Sequence, residues 1–526
     1  MKTALSFLLF FVANSLLSQN SNISEGDVFD GEPYVAIHPD NPQHIVIAWM
    51  GWVNLANKFQ IKTRTSFDGG ETWTETITLP HTVDGYSSAD PCVDFNHRGE
   101  VFISYIDFTG LTPPVTGGVY ISRSSDRGLS WGDPMEVIST SFDGDKWPID
   151  RPWMVIDKSE SEHQGHIYIS SFNLNRINPP YNPYLSISTD DGESFTTRLV
   201  DDSDWLAGVL NPFPICSPTV NSSGVLFASY PSLVLSQSPF TQSFMAISTD
   251  GGISLSHKKI ITDDPPSNLQ DYPLAKKGAL LISNPSDPDH VAFFYLSAHT
   301  GDLDVYLTES FDAGDNWTSP YRLNDDPINN DRMQDMIWAD FDNDGDLIVS
   351  WRDRRNGGDS TYQAATEIWA TYRDKDSMIF RSNFPITTQL IEHDIDLEAA
   401  GNDFMCIKLQ DDLLNAAWGD IRDGELNIWF QRMNTKGVIV STNQISSEEV
   451  PPILIHPNPT PSLMHIVGEQ ISEIYVYDLN GKEVLKQKDI IPSSNHTLEL
   501  SKFPPGTYII KFITDTGDYI DKIIKL

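Results

Sequence analysis

Short apolar runs recur along the chain in a fixed order of strand-like segments. A first set reads PYVAIHP, PCVDFN, PWMVID, SPTVN and ALLISN. A second set follows it as HIVIAWMG, EVFISYID, HIYISSFN, VLFASY and HVAFFYLS. A third set reads IKTRTS, VYISRS, YLSIS, FMAIS and VYLTES. Each third segment runs into one octapeptide pattern, Ser-x-Asp-x-Gly-x-Ser/Thr-aromatic, and a further strand comes after it, as in ETWTETITL. The pattern starts at positions 66, 124, 188, 248 and 310, so the period is about sixty residues. Two units without the octapeptide continue the series, IWADFDNDGDLIVSWRDRR…EIWATYRD and DLEAAG…LLNAAWGDIRDGELNIWFQRM. Four strands per unit predict blades of an all-β propeller over residues 27–447, with seven blades favoured over six.

The octapeptide residues are Ser66, Asp68, Gly70 and Trp73; Ser124, Asp126, Gly128 and Trp131; Ser188, Asp190 and Gly192; Ser248, Asp250 and Gly252; and Ser310, Asp312, Gly314 and Trp317. Leu255 replaces the aromatic in the fourth copy, and Asn316 replaces the hydroxyl in the fifth. Asp and Ser side chains cap a tight turn, Gly takes a conformation other residues avoid, and the aromatic pins the turn to the sheet. The motif therefore marks a fold and carries no chemistry. It resembles the Asp-box, or BNR, repeat of sialidases and related propellers. That resemblance implies that the boxes lie on the turns opposite the active face.

The ends of the chain read differently. Residues 1–19, with Lys2 ahead of ALSFLLFFVA, have the pattern of a signal peptide. No other run is long enough to span a bilayer. After residue 447, the stretch 448–452 (EEVPP) is a linker, and residues 453–526 alternate with period two around turn signals, predicting a small C-terminal β-sandwich. HPNPT, VYDLNGKEV, PPGTYIIK and the basic end KIIKL together resemble the type A sorting domain of the type IX secretion system. The resemblance implies the secretion machinery as a partner, and a secreted or cell-surface protein exported through the periplasm.

The net charge of −38 disfavours nucleic acid and anionic membranes as partners and points to solubility. The three cysteines cannot all pair and read as small buried apolar residues.

In such a propeller, the loops leading into the innermost strands and those leaving the second strands converge on one face, opposite the boxes. Those loops hold Glu32, Asp90, Asp150, Arg151, Tyr272, Arg332, Asp335 and His393, then Arg352, Asp353, Arg355, Asp420 and Arg422. The expected catalytic candidates are Asp90, Asp150, Tyr272 and His393, with the others expected to bind substrate. A repeated Trp-x-Asp-x-Arg at 351–355 and 418–422 also fits ion pairs built once per blade.

Sialidases use an arginine triad, an aspartate acid/base and a tyrosine activated by a glutamate, with the first arginine in a Phe/Tyr-Arg-Ile-Pro segment. Here that place reads Gly31-Glu32-Pro33-Tyr34-Val35, without the arginine. The resemblance is thus to the fold first. It implies a sialidase-like glycoside hydrolase acting on an extracellular glycan or glycoprotein, with a non-catalytic glycan- or protein-binding propeller and a polysaccharide lyase as alternatives. No cofactor is required. Asp340, Asp342 and Asp344 resemble the start of a calcium loop, although Trp351 stands where an EF-hand has its closing glutamate.

Overall fold

The computed structural model describes residues 20–525 except 176–182, 202–215, 233–237, 239, 263–275, 277, 394–400, 441–452, 457–461, 469–470, 479–481, 489–494 and 515–516. The chain forms two compact units, Met1–Val440 and Ser441–Leu526.

Among the described residues the first unit holds seven four-stranded antiparallel sheets. Blade one consists of Asp30–His38, Asn41–Asn54, Lys58–Ser66 and Ile77–Thr78, in that order from the axis outward. The innermost strands of the other blades are Ser87–Phe95, Pro148–Ile156, Ser217–Val220, Ala279–Ser283, Gln334–Phe341 and Cys406–Gln410. Each packs against the next, and Cys406–Gln410 packs against Asp30–His38 to close the ring. The count is seven, the number the sequence pattern favours. The seventh sheet takes its outermost strand from the other end of the chain: Ser21–Asn22 pairs with Trp429 and Phe430. The propeller thus begins ahead of residue 27, where the apolar pattern starts.

The second strands are apolar without alternation because blades stack on both sides of them. Val291–Ser297 and Leu347–Asp353 are almost wholly buried, and Ile45, Ile47 and Trp49 are sealed from solvent. This is the pattern of a sheet covered on both faces.

The five octapeptides make one hydrogen-bonded turn. Ser66 Oγ donates to Asp68 Oδ1 (2.8 Å) and accepts from the Gly70 amide (2.8 Å), while Asp68 accepts from the Thr72 amide (2.9 Å) and hydroxyl (2.5 Å). In the fifth copy the Asn316 side-chain amide donates to Asp312 at 2.7 Å, so the missing hydroxyl is replaced by another donor. These bonds hold the Asp250 and Asp312 carboxyls down at about 2. Each turn also grips the preceding blade. Gly70 has φ of 92°, and a Cβ there would meet the Phe430 ring at 2.3 Å. Trp131 Nε1 donates to Thr63 Oγ1 at 3.0 Å, and Trp73 lies edge-on to Phe430.

A buried charge clamp joins blades five and six. Arg373 donates to both oxygens of Glu309 (2.7 and 2.6 Å), and His290 Nε2 lies 2.8 Å from Glu309 Oε1. Burial opposes ionisation of Glu309, but Arg373 and His290 outweigh it and bring its carboxyl to about 2.

Cys92, Cys216 and Cys406 are buried free thiols, and burial pushes each up to about 12. In the second unit, Ile453–His456, Leu463–Gly468 and Asn495–Glu499 form one sheet. Glu483–Gln487, Ile471–Asp478, Gly506–Thr514 and Gly517–Lys525 form the other. They enclose a core of Met464, Ile466, Ile474, Val476, Leu498, Ile510 and Phe512.

Asp68→Ala removes three hydrogen bonds from an exposed turn and is expected to cost about 1–2 kcal/mol, read as a lower Tm; an unchanged Tm contradicts the structural assignment. Glu309 has a depressed carboxyl, so its stabilisation is complete above about 4.5 and is lost as pH falls from there toward 2. Glu309→Gln should therefore be less stable at pH 7 by about 2–4 kcal/mol and flatter in its acid stability profile than the parent. Parallel urea-midpoint curves for the two proteins across that pH range would contradict it.

Candidate functional site

The innermost strands start with a repeated backbone distortion. Glu32, Asp90, Arg151, Met336 and Asn402 all have left-handed φ between 51° and 58°. Strand pairing skips register beside four of them: Gly31/Tyr34, Ala89/Cys92, Asp150/Trp153 and Asp335/Trp338. In the first three blades a proline follows (Pro33, Pro91, Pro152), which has no N–H to leave without a ladder partner. A non-glycine residue in this region costs on the order of 1–3 kcal/mol. The bulges re-aim the side chains at the strand heads, and they do so on the face opposite the octapeptide turns.

A continuous polar network forms there across the axis. Asp403, just ahead of the seventh innermost strand, accepts from Arg151 (2.9 Å) and from Lys276 Nζ (2.6 Å). The Lys276 amide donates to Asp335 Oδ2 at 3.0 Å. Asp335 also receives Arg352 (2.8 and 2.7 Å) and Arg354 (3.1 Å), and Arg352 donates to the Tyr362 hydroxyl at 2.7 Å. Tyr362 lies edge-to-face with His393, ring centroids 5.2 Å apart. On the other side, the Arg151 amide donates to Asp90 Oδ2 at 3.1 Å, and Asp90 accepts a hydrogen bond from Glu32.

The environments of these carboxyls differ sharply. Glu32 is 2% exposed. Burial, and then the negative charges of Asp90 and Asp403, push it well above the usual range. Within the pair Glu32 is the harder group to ionise, and it is Glu32 that donates to Asp90. Burial also raises Asp90. Asp403 is buried too, but Arg151 and Lys276 outweigh that burial and hold it below the usual range. Asp335 behaves likewise between Arg352 and Arg354.

Glu32, Asp90, Arg151, Asp335 and Arg352 are thus brought together at the axis, with Asp150 next to Arg151 and His393 reached through Tyr362. Tyr272 lies outside the described residues. Arg332 is not part of the network: its guanidinium donates to the Asp359 carbonyl. Asp353, Arg355, Asp420 and Arg422 form lateral ion pairs instead. Arg355 bonds Asp353 (3.0 Å), Asp325 (2.7 Å) and Asn383 (2.9 Å), and stacks on Trp369. Arg422 bonds Asp420 at 2.6 Å and Asn20 at 2.8 Å, and stacks on Trp429. The cause is period two along a strand: Trp351, Asp353 and Arg355 share one side, and Arg352 and Arg354 the other.

The calcium-loop carboxylates also separate. Asp340 bonds Lys408 (3.1 Å), Asp342 bonds the Asp412 amide (2.9 Å), and Asp344 bonds Lys375 (2.8 Å). Among the described residues no group of three or more His, Cys, Asp or Glu side chains is placed to hold a metal ion.

Lys276, Asp403 and Tyr362 were not foreseen. Asp403 could have been found, since Asn402-Asp403 stands in the seventh unit where Asp90-Pro91 and Arg151-Pro152 stand in theirs. Lys276 sits in no repeated position.

Residues 454–526 match the family described as a secretion system C-terminal sorting domain. The protein is therefore secreted or cell-surface. No helix among the described residues is long and apolar enough to cross a membrane. A comparison with curated proteins gave no match. Among solved structures, the chain is similar to a protein of unknown function from Dyadobacter fermentans (17% identity, TM-score 0.41, covering 67% of this chain and 97% of that one). It is also similar to an alpha-L-arabinanase of Penicillium chrysogenum complexed with arabinobiose (14%, 0.43, 69% and 99%). A third similar structure is a leech intramolecular trans-sialidase complexed with 2,7-anhydro-Neu5Ac (12%, 0.40, 81% and 71%).

A chain truncated before Pro451 keeps all seven blades and loses the sorting domain. It should fold and stay inside the outer membrane when expressed in its host, as read by cell fractionation. Normal amounts on the surface or in the medium would contradict the sorting role.

Proposed function

We propose that the propeller is a secreted glycoside hydrolase acting on extracellular glycans, sialidase-like in placing its chemistry at the axis opposite the Asp-box turns. The observation that carries this reading is the pair of opposed carboxyl environments: Glu32 kept protonated against Asp90, and Asp403 kept ionised by Arg151 and Lys276. Two carboxyls whose surroundings drive them apart are what acid–base cleavage of a glycosidic bond requires. In this reading Glu32 protonates the leaving oxygen and Asp403 supplies the charge that stabilises the developing cation or activates water. Asp90 holds the proton on Glu32.

The cations favour a neutral glycan over a sialoside. Arg151, Arg352 and Arg354 each already face a carboxylate. In the described network, these arginines leave no open triad for a sugar carboxylate. The low exposure of Glu32 favours one competing reading, a propeller that binds glycans without cleaving them.

The test is hydrolysis of a panel of neutral, sialylated and uronate-containing glycans by the purified full chain. Glu32→Gln should lower kcat on a cleaved neutral glycan by about 10²–10⁴-fold with little change in KM. Parent activity should fall as pH rises through the elevated range of Glu32. Unchanged kcat in Glu32→Gln removes the assignment of the acid. Binding to a glycan with no cleavage of any member of the panel replaces the hydrolase with the binding propeller.

A further inference from the structure

A cavity lies along the axis at its other end. It measures about 440 Å³ and is lined by the far ends of all seven innermost strands. The hairpins that follow those strands lie beside the octapeptide turns, as the hydrogen bond from the Gly69 amide to the Gln43 carbonyl (2.9 Å) shows. The cavity therefore opens on the turn-bearing face, away from Glu32 and Asp403.

Its lining combines an aromatic wall with charged pairs. Tyr34 and Trp338, which meet edge-to-face at 5.1 Å, line the cavity. Lys158 donates to Asp94 at 2.6 Å on one side, and Lys408 donates to Asp340 at 3.1 Å on another. The Thr219 and Ser283 hydroxyls meet between blades four and five at 2.9 Å. The Lys158 side chain is 41% exposed, so solvent reaches this end.

We infer that this cavity is a binding site for a neutral mono- or disaccharide. The size lies within the range of small-molecule pockets, roughly 300–1,000 Å³. Each lysine is matched by a carboxylate, so the lining has no net charge to offer an anion or a cation. The net charge of −38 further repels anions. The pairs still present N–H donors and carboxylate acceptors at fixed spacing, which suits a ring of hydroxyl groups. Tyr34, partly exposed and backed by the buried Trp338, offers an aromatic surface for the C–H face of a sugar. The site is independent of the acid–base reading at the opposite end and holds whether or not the protein cleaves glycans.

The experiment is titration of lactose, maltose and N,N′-diacetylchitobiose into the full chain by calorimetry, with all proteins carrying Glu32→Gln to exclude turnover. A saturable binding event should be present with at least one sugar, and Lys158→Ala should weaken it by about tenfold or more at unchanged Tm. Lys408→Ala should act in the same direction. Because Lys158 is partly exposed, its loss leaves the fold intact even if Lys408→Ala destabilises the chain. Absence of saturable binding for all three sugars overturns the inference. So does binding that Lys158→Ala leaves unchanged, which would place the sugar elsewhere.

Discussion

Closure of the ring is the constraint on which the rest of the molecule depends. The first described strand, Ser21–Asn22, completes the last blade by pairing with Trp429 and Phe430, and it does so with two residue pairs only. Side chains reinforce it: Ser24 Oγ and the Gly26 amide both donate to Asn427 Oδ1, at 2.8 and 2.6 Å, and Asn20 joins Gln431 at 2.7 Å. A sheet edge left open at blade seven would expose a row of backbone groups. It would also release Asp403 from Arg151, because these residues belong to blades that become neighbours across the axis only when the ring is shut. The contacts span nearly the whole unit in sequence, so closing the ring carries the loop-closure cost of a very long loop.

The electrostatics of the axis follow from that geometry. Seven strand heads are crowded into one small volume, and most contribute a charge. Isolated charges there would be prohibitive, so they are chained: Asp403 between Arg151 and Lys276, Asp335 between two arginines, and Glu32 neutralised by keeping its proton. One chain of hydrogen bonds thus joins a carboxyl that resists ionisation, Glu32, to one that favours it, Asp403. The same requirement explains why the outward pairs Arg355–Asp353 and Arg422–Asp420 are separate from it. Each guanidinium meets a carboxylate of its own blade, and Arg355 also reaches Asp325 in the connection from blade five.

Much of the fold could be read from the residues, because the period was long and carried by five turns whose hydrogen bonds depend on Ser, Asp and Gly. The seven blades, the strand order and the C-terminal sandwich all follow from apolar runs and turns. The closing strand could not be read: Ser21 and Asn22 are polar, and their pairing is decided by a partner some four hundred residues away. The site was legible where a charged residue precedes a proline at a strand head, as at Glu32, Asp90 and Arg151. It was not legible at Lys276, which stands in an irregular loop. At Arg355 and Arg422, one residue of phase along a strand decides which side a side chain takes.

The three buried thiols bear on how the protein matures. Cys92, Cys216 and Cys406 lie in different blades and are held as neutral thiols by burial. Every blade is therefore secured by hydrogen bonds, ion pairs and packing, with no covalent cross-link. The folded chain needs no oxidant to reach its final state, and it keeps its shape in surroundings too reducing for proteins that rely on disulfide staples.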